Sequence, residues 1–185
     1  MRLVWWFDHR QQFRNTQAFF FNTNVLLYIQ QKNFFWTDKF YVKNESGENL
    51  YLVEGELLSW GKRLHIFNSE SKEVAFLKQR VWSWMPKYEL FVEGDMKAEI
   101  NRNFSFFKPH YTVTGPDWDI TGDFLAHNYV ITQNGEAVVT ISKKWLSWGD
   151  TYELDIKDSV NEVLALSVVL AIDADLQSAS QLHSD

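Results

Sequence analysis

The chain of 185 residues contains no cysteine. Disulfide bonds, thiolate nucleophiles and zinc sites with cysteine ligands are therefore excluded. The absence of cysteine fits a reducing compartment, so we expect a soluble, cytoplasmic protein. Hydrophobic residues make up 45% of the sequence, which is typical of a folded chain, and the length suits one domain.

The sequence also lacks an excess of positive charge. It has 18 basic and 24 acidic residues, a net charge of −6. Nucleic-acid-binding domains usually carry a positive excess or a basic stripe, so we expect no nucleic-acid partner. Basic residues occur as the pairs Lys62–Arg63 and Lys143–Lys144, whose ordinary role is to solvate the ends of strands.

No apolar run is long enough to cross a membrane, so we expect no transmembrane segment. The most apolar stretch, SVNEVLALSVVLAI at 159–172, has about half of the roughly 20 apolar residues that a span needs. A helix that is apolar on all sides must be enclosed. Ser159 and Glu162 have the spacing of a capping box, and Ser167 can donate to the carbonyl of Val163. We therefore predict a buried helix over 159–172.

From residue 25 onward, aromatic and β-branched runs alternate with turn signals, the pattern of consecutive strands. Asn134–Gly135 predicts a type I′ hairpin, Gly47 a turn, and Gly55 a bulge or bend within a strand. This pattern predicts about twelve strands. They span 26–30, 34–43, 50–58, 64–68, 74–80, 88–93, 97–102, 110–114, 118–125, 129–133, 137–143 and 151–156.

A short motif occurs twice. Ser83–Trp84 followed by Tyr88–Glu89–Leu90 recurs as Ser147–Trp148 followed by Tyr152–Glu153–Leu154, 64 positions later. Such a period is too long for a solenoid. It predicts two similar β-halves that close into one body.

The strands and the helix suggest one architecture. A barrel of about twelve strands has a lumen too wide for its own side chains to fill, and a helix is about 10–12 Å across. We therefore predict a mainly β fold, a closed barrel over 25–176 that encloses the C-terminal helix, followed by a flexible tail at 177–185.

Residues 1–24 do not follow this pattern. They contain the aromatic runs VWWF at 4–7 and FFF at 19–21. Three interpretations are open: a segment on a membrane surface, a mobile or loosely packed extension, or a translation start near Leu27 that leaves these residues out of the native protein.

Several stretches together resemble the LURP-one-related family: YIQQK at 28–32, FWTDKFYV at 35–42, Gly55–Glu56, Leu64–His65–Ile66, the region Gly115–Asp123 and the closing apolar helix. The resemblance covers about residues 26–176. It implies a fold similar to the Tubby C-terminal domain and to phospholipid scramblases, a twelve-stranded barrel around a C-terminal helix.

The same resemblance carries only limited functional information. It implies no catalytic residues. Tubby-type relatives bind phosphoinositide headgroups and scramblase relatives are associated with lipid movement, but their basic lipid-contacting positions do not align with residues here. Scramblases also have a cysteine-rich segment and a membrane span, which this sequence lacks, and the segment before Leu26 departs from the family pattern.

Motifs for known chemistry are absent. There is no Gly-x-Ser-x-Gly elbow, no phosphate-binding loop and no dinucleotide fingerprint. The histidines do not occur at zinc-ligand spacing, and His65 within a strand pattern is typical of a structural histidine. We expect no catalytic residue, no metal and no cofactor. The histidines are His9, His65, His110, His127 and His183.

Carboxylates offer one alternative. Strand alternation places Asp117, Asp119 and Asp123 on one face, where they could act as an acid–base pair or bind a cation, although aspartate is also an ordinary turn residue. Asp173 and Asp175 follow the predicted helix and are expected to keep its end in water.

Tryptophans surround the repeated Ser-Trp turns. They predict either an aromatic mouth for a ligand or lipid, or caps that close the barrel ends and shield the helix. They are Trp60, Trp82, Trp84, Trp145 and Trp148. The candidate ligand-binding residues are Lys62, Arg63, Lys143, Lys144, Trp60 and Trp148.

The sequence therefore predicts a non-enzymatic binding or scaffold module that contacts anionic phospholipid headgroups or a protein partner. Two other interpretations are open: an enzyme with a surface carboxylate site around Asp117–Asp123, and a purely structural interaction protein.

Overall fold

The structure is a computed structural model that describes residues 24–30, 39–56, 60–103, 110–146 and 149–181. These residues form twelve strands and one helix. The elements are β1 Val25–Gln30, β2 Lys39–Lys43, β3 Asn49–Gly55, β4 Arg63–Asn68, β5 Glu73–Gln79, β6 Lys87–Val92, β7 Asp95–Asn103, β8 His110–Thr114, β9 Trp118–Asp123, β10 Asn128–Gln133, β11 Glu136–Leu146, β12 Gly149–Ile156 and α1 Glu162–Gln181.

The strands form one closed antiparallel barrel. Each strand pairs with its neighbours in the chain, and β1 pairs with β12 to close the ring. Every described strand therefore has a neighbour on both sides, which limits the strand edges that another chain could pair with. The predicted mainly β fold, a closed barrel around a C-terminal helix, is confirmed.

Turn chemistry explains part of the register. Asn134 and Gly135 both have positive φ, 52° and 80°, as the predicted type I′ hairpin requires. The predicted bulge at Gly55 is wrong, because Gly55 pairs in register with Leu64 at the end of β3. Register shifts instead lie between Val42 and Lys43, Ile66 and Phe67, Leu90 and Phe91, and Ile131 and Thr132.

The helix α1 lies inside the barrel. Every residue from Ala165 to Asp175 is buried, and α1 contacts β5, β6, β7 and β12. Ser167 Oγ donates to the carbonyl of Val163 at 2.7 Å, the predicted bond that lets a serine lie in an apolar environment. Each fully buried Leu or Val contributes about 1.5–3 kcal/mol, so the helix supplies much of the core.

The ends of the helix differ from the prediction. The backbone N–H of Leu164 donates to Asn161 Oδ1 at 2.8 Å, so Asn161 caps a helix that begins at Glu162, and Ser159 lies outside it. The helix continues past residue 172 to Gln181, through residues predicted as a flexible tail. In the described part of the chain, no helix has both the length and the apolar character that crossing a bilayer requires.

The two copies of the tyrosine motif lie on β6 and β12, six strands apart in the ring of twelve. Tyr88 and Tyr152 are both buried. An evolutionary repeat of two halves stays a prediction. Residues 1–23, and the predicted strand residues 34–38, lie outside the described part of the chain.

Enclosure of α1 predicts a large loss of stability when its side chains are shortened. Leu166 is fully buried, so Leu166→Ala should lower the free energy of unfolding by about 3 kcal/mol through lost transfer energy and a residual cavity. Urea unfolding followed by circular dichroism measures it. The matched control is Leu125→Ala, at a residue that is 77% exposed, which should cost less than about 0.5 kcal/mol. Equal losses in the two variants would contradict enclosure of the helix.

Candidate functional site

Large apolar side chains are exposed at one end of the barrel. Trp60 in the β3–β4 connection is 80% exposed, and Trp82 and Trp84 in the β5–β6 connection are 92% and 99% exposed. Leu125 in the β9–β10 connection is 77% exposed. The antiparallel order brings these connections to the same end, where α1 also finishes. We call this surface, formed by Trp60, Val81, Trp82, Trp84 and Leu125, the tryptophan end.

Two hydrogen bonds hold the β3–β4 connection against the end of β5. The N–H of Gln79 donates to the carbonyl of Lys62 at 2.7 Å, and the N–H of Lys62 donates to Gln79 Oε1 at 3.0 Å. Gly61 has φ of 81°, and a Cβ at that position would lie 2.9 Å from Val81 Cγ2. Only glycine fits this close approach, so the connections that carry Trp60 and Trp82 are packed against each other below the exposed rings.

The predicted capping role of the tryptophans is therefore wrong for the three that are described. Their rings project into solvent because the barrel interior is already filled by α1 and by inward-facing side chains. Trp148, and the side chain of Trp145, lie outside the described part of the chain. Three exposed indole rings on neighbouring connections form a surface suited to contact with something outside the protein.

Charge is distributed unequally between the two barrel ends. At the end opposite the tryptophans, the turns carry Glu45, Glu48, Glu70, Glu93, Asp117 and Asp158 against Lys72 and Lys157. In the described strand ends and connections around the tryptophans, basic and acidic residues are nearly balanced: the basic residues are Lys39, Lys62, Arg63, Lys78, Arg80, Lys87, Lys143 and Lys144, and the acidic ones include Glu54, Glu56, Glu89, Asp123 and Glu153. The acidic excess of the chain therefore lies mainly away from the tryptophan end.

The predicted basic pairs lie at this end but do not form one site. Lys62–Arg63 lies at the start of β4 and Lys143–Lys144 near the end of β11, five strands away around the ring. Arg63 pairs with Glu56 at 3.2 Å and Lys144 with Glu153 at 3.2 Å. Lys143 is exposed.

Lys62 points inward. Its Nζ donates to the carbonyl of Ala174 on α1 at 2.6 Å. Burial lowers the pKa of Lys62 to about 8, against an opposing effect of the Asp175 carboxylate. Its role in this structure is to hold the helix, although the sequence suggested a ligand contact.

The carboxylates of the enzyme hypothesis do not converge. Asp117 lies in the β8–β9 turn with φ of 55°, while Asp119 and Asp123 lie four residues apart on β9, about 13 Å along the strand. Asp123 Oδ1 accepts the N–H of Ala126 at 3.1 Å, as a turn aspartate does. No cluster of three or more potential metal ligands occurs among the described residues.

Two carboxylates that the sequence placed in water are buried inside the barrel. Asp175 is 1% exposed and accepts from Arg102 Nη1 at 3.0 Å and from the Tyr111 hydroxyl at 2.7 Å. Asp173 accepts from the Tyr152 hydroxyl, and His127 Nε2 lies 3.5 Å from its Oδ1. The prediction that these aspartates keep the helix end in water is wrong, because partners on the barrel wall replace the solvent. We call these six residues the helix-tail cluster.

The tyrosines of this cluster remain protonated. Burial raises the pKa of Tyr111 and of Tyr152 far above the ordinary value, and the nearby Asp175 and Asp173 carboxylates add to the rise. Protonated tyrosines donate to carboxylates, so the cluster fixes the rotation and depth of α1 beneath the tryptophan end. Of the two tyrosines in the repeated motif, Tyr152 on β12 belongs to this cluster, and the motif was the sequence signal that pointed to it.

A second charged group lies on the outer face around His65, which the sequence indicated as a structural histidine without showing its partners. His65 Nδ1 lies 2.8 Å from Glu73 and Nε2 lies 3.0 Å from Glu56. Burial alone would lower the pKa of His65, but the hydrogen bonds to both carboxylates outweigh it and raise the pKa. The hydrogen bond to His65 lowers the pKa of Glu56, with Arg63 adding to the effect. The three residues come from different strands or turns, so their spacing carries no signal.

The helix-tail cluster predicts a strong coupling between Arg102 and Asp175. Arg102→Met leaves the Asp175 carboxylate buried without its cation, which should cost about 3 kcal/mol of unfolding free energy. The double variant Arg102→Met/Asp175→Asn should lose less than the sum of the single variants. Lys39→Met, which removes the exposed pair with Glu54, is the control and should cost at most about 1 kcal/mol. Strict additivity in urea unfolding would show that the pair is not coupled.

His65 predicts a defined pH dependence. A raised pKa means that His65 stabilises the fold fully below its unfolded pKa near 6.5 and that this contribution disappears as the pH rises through the folded pKa. The melting temperature of His65→Gln should therefore lie furthest below that of the native chain near pH 5–6 and approach it toward pH 8. In a Glu56→Gln/Glu73→Gln background the dependence should vanish. A difference that stays constant with pH would refute the pairing.

Comparison with known proteins gives the family. Residues 25–173 match the LURP-one-related family. YxjI, an uncharacterised protein of Bacillus subtilis (strain 168), is 29% identical over 149 residues, which cover 80% of this chain and 92% of that protein. An X-ray structure of a protein from Arabidopsis thaliana superposes with a TM-score of 0.62 at 15% identity, over 82% of this chain and 91% of the other. This last likeness concerns the fold alone. The family match at residues 25–173 covers the whole barrel and most of the enclosed helix. The chain therefore belongs to the LURP-one-related family.

Proposed function

We propose that this chain is a non-enzymatic binding module that docks through the tryptophan end on a bilayer surface containing anionic lipids. The observation that carries the proposal is the exposure of Trp60, Trp82 and Trp84 on two connected loops. Indole rings have an apolar body and a polar N–H, which suits them to the boundary between headgroups and acyl chains.

The charge distribution supports an anionic surface. Arg80 precedes Val81 and Trp82 and is about half exposed, with Glu89 at 3.6 Å and Glu99 at 3.5 Å as partners, and Lys143 is exposed at the same end. The acidic turns lie at the opposite end of the barrel, where they do not oppose approach to a negative surface. Each basic residue near such a membrane contributes about 1 kcal/mol. Tubby-type domains, which the family resembles in fold, bind phosphoinositide headgroups, although their basic lipid-contacting positions do not align with residues of this chain.

The filled interior favours a surface function. The helix occupies the lumen, and the two described grooves lie on the outer wall. A lipid headgroup therefore binds at the tryptophan end and not within the barrel. We also propose a cytoplasmic location, which the absence of cysteine favours, and in that compartment the protein would meet a leaflet that carries anionic lipid.

Vesicle co-sedimentation tests the proposal. The native chain should bind phosphatidylcholine vesicles that contain phosphatidylserine or a phosphoinositide more tightly than vesicles of phosphatidylcholine alone. Trp82→Ser/Trp84→Ser should weaken binding at least about tenfold, since each buried indole contributes more than 1 kcal/mol. Arg80→Gln/Lys143→Gln should weaken binding only to the anionic vesicles and more strongly at low salt.

The matched control is Val130→Ser, which removes an apolar side chain from a half-buried outer position of β10 on the barrel wall, away from the tryptophan end. This variant should bind vesicles as the native chain does. If the native chain and the tryptophan variant sediment equally with vesicles, the proposal that the tryptophan end binds a bilayer is wrong. If the tryptophan substitutions weaken binding but anionic lipids do not strengthen it, the protein binds the bilayer interface irrespective of lipid charge. That result would reject the preference for anionic lipids.

A further inference from the structure

An apolar band crosses the outer wall of one half of the barrel. Its members are outward-facing residues on β2 to β7, and most are direct cross-strand partners. Tyr41 pairs with Leu52, Leu52 with Phe67, Phe76 with Phe91, and Phe91 with Met96. We call these six residues, Tyr41, Leu52, Phe67, Phe76, Phe91 and Met96, the aromatic belt.

His65 joins the two parts of the belt. It pairs with Phe76 across the β4–β5 ladder, its ring centroid lies 4.7 Å from that of Phe76, and it stacks on Phe67 at 6.2 Å. Phe76 and Phe91 have ring centroids 6.0 Å apart. The belt is therefore a continuous row of contacting side chains.

The belt faces away from the core. Its neighbours along the strands, including Val53, Ile66, Leu77 and Leu90, are buried against α1 and the lumen, so strand alternation turns the belt outward. The outer positions of β8 to β11 are mainly short and polar: Thr112, Thr121, Thr132, Thr140 and Ser142. An apolar outer face on one half only indicates that something covers it.

Two grooves lie along the belt. The larger, of about 530 Å³, is lined by Tyr41, Leu52 and Phe67 and by turn residues that include Asn49 and Ser69. The smaller, of about 150 Å³, is lined by Phe76 and Phe91 together with Glu73 and Glu93. Both grooves therefore combine aromatic walls with polar or acidic edges.

The shape of the belt favours a narrow occupant. Six strands span five spacings, about 24 Å, and the belt is about one side chain high. A stable dimer buries roughly 800 Å² on each partner, which needs a broader face. A single extended segment, at about 3.3 Å per residue, covers this length with seven or eight residues.

The chain itself contains a segment with the matching chemistry. Residues 1–23 carry the basic residues Arg2, Arg10 and Arg14 against Asp8, and are rich in large rings: Trp5, Trp6, Phe7, Phe13, Phe19, Phe20 and Phe21. The belt edge nearest the acidic barrel end carries Glu45, Glu48, Glu70, Glu73, Glu93 and Asp95 against Lys43, Lys72 and Lys97. An aromatic, basic segment thus complements an aromatic groove with an acidic edge.

Residues 1–23 are also attached to the barrel close enough to reach the belt. Residue 24 precedes β1, and Asn24 Nδ2 donates to Asp155 on β12 at 2.7 Å. Tyr28 pairs with Lys43, which pairs with Asn49 at the lower edge of the larger groove. The path from Asn24 to Tyr28 is four residues along β1, and Asn49 then lies two strand spacings to the side, so the two ends are about 16 Å apart. Five residues in an extended conformation span about 17 Å, which is enough to cover this distance. Phe19 can therefore reach the groove, and Trp5 has enough chain to reach any part of the belt.

We propose that residues 1–23 of the same chain occupy the aromatic belt, with their rings in its two grooves and their arginines along its acidic edge. The family match begins at residue 25, so this contact is an addition to the family's barrel. The inference does not depend on the lipid proposal, because the belt lies on the wall and not at the tryptophan end.

The absence of cysteine permits a direct test with the full chain. Nitroxide labels are placed at Gln17→Cys and Ser69→Cys, where Ser69 lines the larger groove, and the distance between them is measured by pulsed electron paramagnetic resonance. A narrow distance distribution is expected. Labels at Gln17→Cys and Thr121→Cys, on the polar half of the wall, should report a longer mean distance.

Substitutions then identify what holds the segment. Leu52→Ser/Phe67→Ser should broaden the 17–69 distribution, and Trp5→Ser/Trp6→Ser should do the same without touching the barrel. Val130→Ser, at an outer position of β10, is the matched control and should leave the distribution narrow. Thermal melts of each variant show whether the barrel still folds. A broad distribution in the native chain, or one that neither pair of substitutions alters, would overturn the proposal.

Dilution of labelled protein with unlabelled protein distinguishes docking of residues 1–23 within one chain from docking of a second copy. A narrow distance that persists on dilution supports docking within one chain. A distance that disappears on dilution, together with a dimer mass in light scattering, would show that a second copy fills the belt and would overturn the assignment.

Discussion

Enclosure of α1 by the barrel is the constraint on which the rest of the structure depends. Twelve strands leave a lumen that their own side chains cannot fill, and the buried face of α1 extends all the way round. Neither element can avoid water without the other. The last part of the helix adds charge to this arrangement, because Asp173 and Asp175 enter the barrel only with Tyr152, Tyr111 and Arg102 as partners. These directional contacts set the depth and rotation of a helix whose apolar surface alone would allow sliding.

The filled lumen moves any binding function to the outside of the barrel. The two ends then differ in both shape and charge. One end has tight turns and acidic side chains, and the other has longer connections with exposed tryptophans. Lys62 connects this end to the interior, because it lies two residues after Trp60 and its ammonium group holds the carbonyl of Ala174. The surface proposed to bind is thus built directly on the contacts that hold the helix.

The wall of the barrel has its own asymmetry. On β2 to β7 the outer face carries the aromatic belt with His65 held between two carboxylates, whereas β8 to β11 present mainly hydroxyl side chains. The inner faces of both halves are equally apolar. Interior packing therefore does not explain the difference, whereas the proposed docking of residues 1–23 on the belt would.

The sequence by itself determined the strands, their hairpins and the enclosed helix, because alternation, turn residues and an all-round apolar run are local patterns. Asn134–Gly135 and Ser167 are examples in which a residue's own chemistry specified its geometry. Only the tertiary structure decided where charges and rings lie. Asp173 and Asp175 follow an apolar run in the sequence and are polar by type, so their burial depends on Arg102, Tyr111 and Tyr152, which are distant along the chain. The exposure of Trp60, Trp82 and Trp84 and the belt from Tyr41 to Met96 likewise depend on which strands become neighbours and on what already fills the lumen. These are long-range consequences of closure, and no short stretch of sequence contains them.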